Sequence, residues 1–176
     1  MTAAPEYRRP ESAECAPFHL AYVGEVPDGD LLQTMERQLH ETMGLLEATP
    51  AAKADFAYAP GKWSIKQVVG HVTDAERIFA YRALRIARGD QTPLPGFDEN
   101  LYVPASAAER RSLIDLLAEF HAVRRASLAL FHHLPAESVT RTGIVSGATV
   151  SVRALAWVIT GHELHHQRIL KDRYLA

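Results

Sequence analysis

The stretch Gly161-His-Glu-Leu-His-His-Gln-Arg-Ile-Leu170 decides how this chain is read. It lies within the series Val152, Leu155, Ile159, His162, His166 and Ile169, whose spacings of three and four mark one helix face. His162 and His166 thus continue the apolar stripe of a helix starting at Thr149 or Ser151 and running to near Arg173. Two inward imidazoles one turn apart converge on a point. That suits a divalent ion, because neutral imidazole nitrogen ligates Zn, Ni or Fe. Without partners, buried imidazoles would cost about 1–3 kcal/mol per group. His165 lies roughly 100° round the helix and leaves the stripe.

The same letters spell H-E-x-x-H, the zinc-binding helix of many metalloproteases, but the context fails. Such helices take their third ligand from downstream. In the variant that turns at a glycine, the glycine position is Ile169 here and the last ligand position is Asp172. With Ile169 the helix continues and carries Asp172 roughly 120° away from His166. Only residues 167–176 follow, too few for a more distant glutamate. A third ligand must therefore come from upstream. The helical candidates are His40, His71, His121 and the pair His132-His133; by spacing, His71 at the edge of its stripe is the best of several.

Three more helices precede this one. The first starts at Asp28 or Asp30 and carries Leu32, Met35, Leu39, Met43 and Leu46 on one face. The second has the strongest start in the chain, with Ser64 as N-cap, Gln67 completing a capping box, and Trp63 and Val68 able to staple the turn. Its stripe is Val68, Val72, Ala75, Phe79 and Ile86, and it ends at Arg88-Gly89. The third is predicted to open on the capping box Ser106-Ala-Ala-Glu109, with Leu113, Leu116, Leu117, Phe120, Val123 and Ser127 inward and a stop before Pro135. Residues 89–105, rich in Pro and Gly, read as a long loop without a regular element. Residues 134–149 are turn-rich, with a short strand possible at Gly143-Ile-Val-Ser146. Residues 1–27 read as an extended arm anchored by Phe18, Tyr22 and Val23, and 28–176 as an all-α four-helix bundle.

Composition bounds the partners. The 176 residues fit one domain, with 47% hydrophobic and 23% charged residues. A formal net charge of −2 gives no reason to expect nucleic acid or an anionic membrane. The single cysteine, Cys15, excludes an internal disulfide. No signal-peptide core or membrane-length apolar run is present, so a cytoplasmic protein is expected.

At its best-marked residues the chain resembles the DinB-type, or YfiT-like, metal-binding four-helix bundles. The resemblance covers most of the chain. It is carried by Ala59-Pro-Gly-Lys-Trp-Ser-Ile-Lys-Gln-Val-Val-Gly-His71, by Asp74-Ala-Glu-Arg-Ile-Phe-Ala-Tyr-Arg82 and by Gly161-His-Glu-Leu-His-His166. It implies His71, His162 and His166 as ligands of one divalent ion, Zn first, with Ni or Fe as alternatives, and leaves His165 outside the set. Similar proteins include metal-dependent transferases that join a low-molecular-weight thiol to an electrophile. A thiol S-transferase acting on a small molecule with such a thiol as cosubstrate is therefore the leading expectation. The alternatives are a metal-dependent hydrolase, with Glu163 as a weak candidate for the base, and a non-catalytic, stress-related metal-binding protein. Asp74 and Glu76 are candidates to orient ligands, or to form surface ion pairs. Apolar Ile78, Tyr81 and Leu84 lie off the stripe of the second helix, and dimers occur among similar proteins, so a homodimer is expected with that helix near its interface.

Overall fold

The computed structural model describes residues 5–176. Its helices are α1 (Leu20–Glu25), α2 (Leu31–Glu47), α3 (Ile65–Ala87), α4 (Glu99–Ala105), α5 (Leu113–His132) and α6 (Val152–Ile169). A hairpin of β1 (Thr142–Val145) and β2 (Ala148–Ser151) leads into α6. The four long helices α2, α3, α5 and α6 form the bundle. Both α2 and α3 pack against α5 and α6, so α2 and α3 face each other across a diagonal. In an up-and-down bundle consecutive helices would be neighbours. Here the long connections let the chain cross instead.

The local signals explain the helix ends. Asp30 accepts from Gln33 N and starts α2; Ser64 and Gln67 form the reciprocal capping box of α3; Ser151 accepts from Ala154 N and starts α6. After Ile169, residues Leu170–Tyr174 continue as a wider π turn. Ser146 and Gly147 both have positive φ, 50° and 81°, as a two-residue hairpin turn of this hand requires.

Three expectations are corrected. Residues 89–105 do hold a regular element, α4, which Asp98 caps by accepting from Asn100 N; Pro104 sits in its last turn, where it costs the helix one backbone donor. The third bundle helix starts at Leu113 with Ser112 as its cap, not at Ser106. Ala107 is left-handed at φ 51°, which breaks the chain between Ser106 and the helix, and Ser106 Oγ instead donates to Val103 O. The arm is not wholly extended, because it contains α1 and two short 3-10 turns. Phe18 is 59% exposed and anchors nothing, while Tyr7, Cys15, Val23 and Val26 are buried. Residues 1–4 lie outside the described residues.

Polar contacts pin the arm to the bundle. Trp157 Nε1 donates to Tyr7 O (2.9 Å) and Tyr7 OH donates to Phe131 O (2.8 Å). The Arg9 guanidinium lies 4.4 Å from the Trp157 ring centre and donates to Val23 O and Val26 O.

The buried apolar residues form two clusters, one towards the arm and hairpin, the other around the start of α3 and α5. Between them each bundle helix contributes a buried polar residue: Gln38, Glu76, Arg124 and Glu163. Arg124 Nε and Nη2 donate to the two Glu76 oxygens (2.8 Å each), and Nη1 donates to Glu163 Oε2 (2.5 Å) and Met35 O (3.2 Å). Thr42 Oγ1 donates to Glu163 Oε1 (2.7 Å) and accepts from Gln167 Nε2 (3.2 Å). Gln38 Nε2 donates to Thr160 O (3.0 Å). The ion pairs tie α3, α5 and α6 into one register across the middle of the bundle.

Candidate metal centre

His71 comes from the first two turns of α3, and His162 and His166 from the second half of α6. The α3–α6 contact brings their rings together. His162 Nε2 lies 3.0 Å from His71 Nε2 and 3.2 Å from His166 Nε2, and the ligand atoms of all three fall within 4.8 Å of one another. An ion roughly 2.1 Å from each nitrogen in tetrahedral geometry would set such nitrogens roughly 3.4 Å apart. The spacing therefore fits a transition-metal ion. The donor set fits too: three imidazoles with no carboxylate suit Zn, Ni or Fe and not Ca or Mg.

The electrostatics prepare the same role. Burial pushes His71 down to about 4, against a small opposing effect of the Glu99 charge. Burial, then His71 and His165, push His166 down to about 3. Burial followed by the neighbouring imidazoles holds His162 well below its ordinary value. At neutral pH all three rings are uncharged, the form that ligates.

Aromatic rings hold the imidazoles in place. Trp63 lies against His71 with the ring centres 4.7 Å apart and the planes inclined at 45°, and Tyr22 meets His162 edge-on at 5.3 Å. The Trp63 carbonyl is fixed in turn by Tyr174 OH, which donates to it at 2.7 Å. Tyr22 reaches the site because α1 crosses α6 at Gly161. A Cβ there would meet Tyr22 O at 2.0 Å, so only glycine admits the crossing. α4 packs against α3, and Glu99 acts electrostatically on both His71 and Tyr22.

The other sequence candidates fall elsewhere. His40, His121, His132 and His133 are exposed. His165 leaves the cluster, with Nδ1 3.4 Å from Glu25 Oε1. Asp74 pairs with Arg77 at 3.4 Å near the surface, and Glu76 is buried in the Arg124 layer. Glu163, read as a weak candidate base, points away from the histidines. Both its oxygens are taken by Arg124 and Thr42 at 2% exposure, because one step round a helix separates it from His162 and directs it into the bundle interior. Sequence reasoning missed the contacts of Tyr22 and Trp63 with the histidines, and missed that His19 and Arg82 are buried. One signal was available for Arg82: it fills the stripe slot between Phe79 and Ile86.

Comparison with known proteins agrees with this architecture. A candidate metal-dependent hydrolase of Oceanobacillus iheyensis is 27% identical over 149 residues, covering 80% of this chain and 79% of its own. The structure of YfiT from Bacillus subtilis, described as a candidate metal-dependent hydrolase with an unusual four-helix bundle topology, superposes with a TM-score of 0.71 at 17% identity. The match covers 94% of this chain and 93% of that one, and the likeness is one of fold. The model of the DinB superfamily matches residues 34–170, which take in all four bundle helices and all three converging histidines. By that match, the chain belongs to the DinB superfamily.

Proposed function

We propose that the chain is a divalent-metal-dependent hydrolase of small molecules, with His71, His162 and His166 as the metal ligands. The observation that carries this reading is the meeting of three uncharged imidazoles, with ligand nitrogens within 4.8 Å, and no fourth side chain in the set among the described residues. A divalent ion held by three imidazoles supplies Lewis acidity and lowers the pKa of a water or thiol bound in its open position. The protein's own residues fix the ring orientations through Trp63 and Tyr22 and keep the imidazoles neutral by burial. Glu163 has no part in proton transfer here, since its carboxylate is committed to Arg124 and Thr42.

That sequestered glutamate favours a second reading, thiol S-transfer. A thiol acidified by the ion needs no carboxylate base, and the buried Cys15, with its thiol pushed up to about 11 by burial and then Glu14, is unfit as a protein nucleophile. Metal analysis of the purified protein and of His71→Ala, His162→Ala and His166→Ala tests the ligand set: one ion per chain, lost in each variant, is expected, and full occupancy after any single loss overturns it. Zn-loaded protein is then assayed, with and without chelator, on an aryl ester panel and on a low-molecular-weight thiol with an alkyl halide. Chelator-sensitive ester turnover supports hydrolysis, and turnover only in the thiol arm replaces it with transfer. The homodimer reading rests on exposed Tyr81 and Leu84 of α3, and light scattering giving a single 19.5 kDa species would overturn it.

A further inference from the structure

Beside the histidines stands a second buried basic group that the fold does not neutralise. Arg82 is 4% exposed, and its one hydrogen bond among the described residues runs from Nη2 to Pro95 O (2.6 Å). It makes no ion pair among the described residues, whereas buried Arg124 has two carboxylates. Burial without a counter-charge holds the Arg82 guanidinium below its ordinary range, with a small opposing effect from Tyr102. Such a cation costs stability unless something else uses it.

Its surroundings say what that is. The guanidinium carbon lies 5.8 Å from the Phe79 ring and 5.7 Å from the Phe97 ring. The same Phe79 ring meets metal-centre His162 at 6.0 Å and His19 at 5.7 Å. His19 is 4% exposed and its Nδ1 is buried without a hydrogen-bond partner. Thus one phenyl ring has around it a guanidinium without an ion pair among the described residues, an imidazole whose Nδ1 is unpartnered among them, and a member of the histidine cluster. Phe97, brought in by the loop before α4, and Tyr102 beside it at 5.3 Å extend the apolar wall.

We propose that Arg82 and His19 form an oxyanion-binding subsite next to the three-histidine centre, taking the carboxylate or phosphoryl group of a small substrate with an apolar body. A guanidinium matches such oxyanions through paired N–H donors, and its charge is near both phenyl rings. Phe79 and Phe97 receive the apolar body. The catalytic use of this subsite rests on the metal-centre reading; the binding itself does not.

The test uses chelator-treated protein, so that no metal can bind the probe. Titration calorimetry with benzoate, phenylphosphonate and neutral benzamide measures the preference for charge, and the first two distinguish carboxylate from phosphoryl. At least one anion is expected to bind about tenfold tighter than benzamide. The ratio should fall to about one in Arg82→Met, recover partly in Arg82→Lys and drop severalfold in His19→Ala. A purely structural Arg82 would weaken all three probes alike and leave the ratio unchanged, which overturns the proposal, as does equal binding of benzoate, phenylphosphonate and benzamide by the unmodified chain. If circular dichroism shows Arg82→Met unfolded, the Arg82→Lys and His19→Ala ratios decide. Loss of the metal reading would appear in the metal content of the histidine variants, independently of this ratio.

Discussion

Two polar clusters meet at consecutive residues of α6 and are built on opposite principles. His162 joins His71 and His166, three neutral groups whose nitrogens face one another with no internal cation. Glu163 joins Glu76 around Arg124, where the carboxylates and the guanidinium satisfy one another and the Arg124 pKa is raised by them against the effect of burial. Both clusters are buried and both link α3 to α6. The ion layer is complete within the chain, and its geometry fixes how α6 is rotated. The histidine cluster has no such ion pair among the described residues, as the proposed ligand role requires. A closed layer beside an open one is how a bundle keeps a site preorganised without the site having to hold the bundle together.

The sharpest way to break this contrast is to open the closed layer. Arg124→Met leaves Glu76 and Glu163 buried without a counter-charge and should cost about 3–5 kcal/mol in urea unfolding. A loss under about 1 kcal/mol would put the layer on a par with a surface ion pair and end the distinction.

Acid should act on the open cluster next. In metal-free protein His71 and His166 titrate at about 4 and about 3, below the ordinary 6.5 that the unfolded chain keeps. As pH falls the unfolded state takes up these protons first. Stability is therefore complete above 6.5 and declines towards 4 and 3, by about 1.4 kcal/mol per pH unit for each histidine. Thermal midpoints of chelator-treated protein between pH 8 and 5 check this, and a flat profile would mean the rings are not buried and neutral. Metal loading should carry the decline to lower pH.

Glu163→Gln separates the two clusters at their shared point. It should cost about 1–2 kcal/mol, since Thr42 and Arg124 keep partial partners, while bound metal measured by atomic absorption stays at the level of the unmodified chain. Loss of metal with unchanged stability would reassign Glu163 to the histidine side. The smallest effect belongs to His165→Ala, which should change stability by no more than about 0.5 kcal/mol and keep the metal, because its Glu25 contact is partly exposed. Metal loss in that variant would enlarge the ligand set.

Much of this was legible in the chain. The start of α3 at Ser64, the stripe of α6 and the pairing of His162 with His166 follow from local geometry, since caps and i,i+4 neighbours are set by the backbone within one or two turns. The inward slots held by Glu76, Arg82 and Arg124 also fall at apolar spacing, but spacing names no partner for a charged side chain, and Glu76 reads towards the ligands or the surface. The left-handed Ala107 had no comparable signal. A capping sequence at Ser106 met a chain that the preceding helix had already directed elsewhere.

By itself the sequence determined four amphipathic helices, their principal caps and two histidines one turn apart, because each depends on residues close along the chain. Spacing alone could not choose the third histidine from several, and resemblance had to supply His71. Only the tertiary structure decided that α3 and α6 lie side by side while α2 and α3 face across the bundle. It also decided that Gly161 admits the arm, that Glu163 turns to Arg124 and not to its neighbour His162, and that Arg82 has no carboxylate partner among the described residues. These are contacts between residues tens of positions apart, and which of them form depends on the packing of whole helix faces, not on any one stretch of sequence.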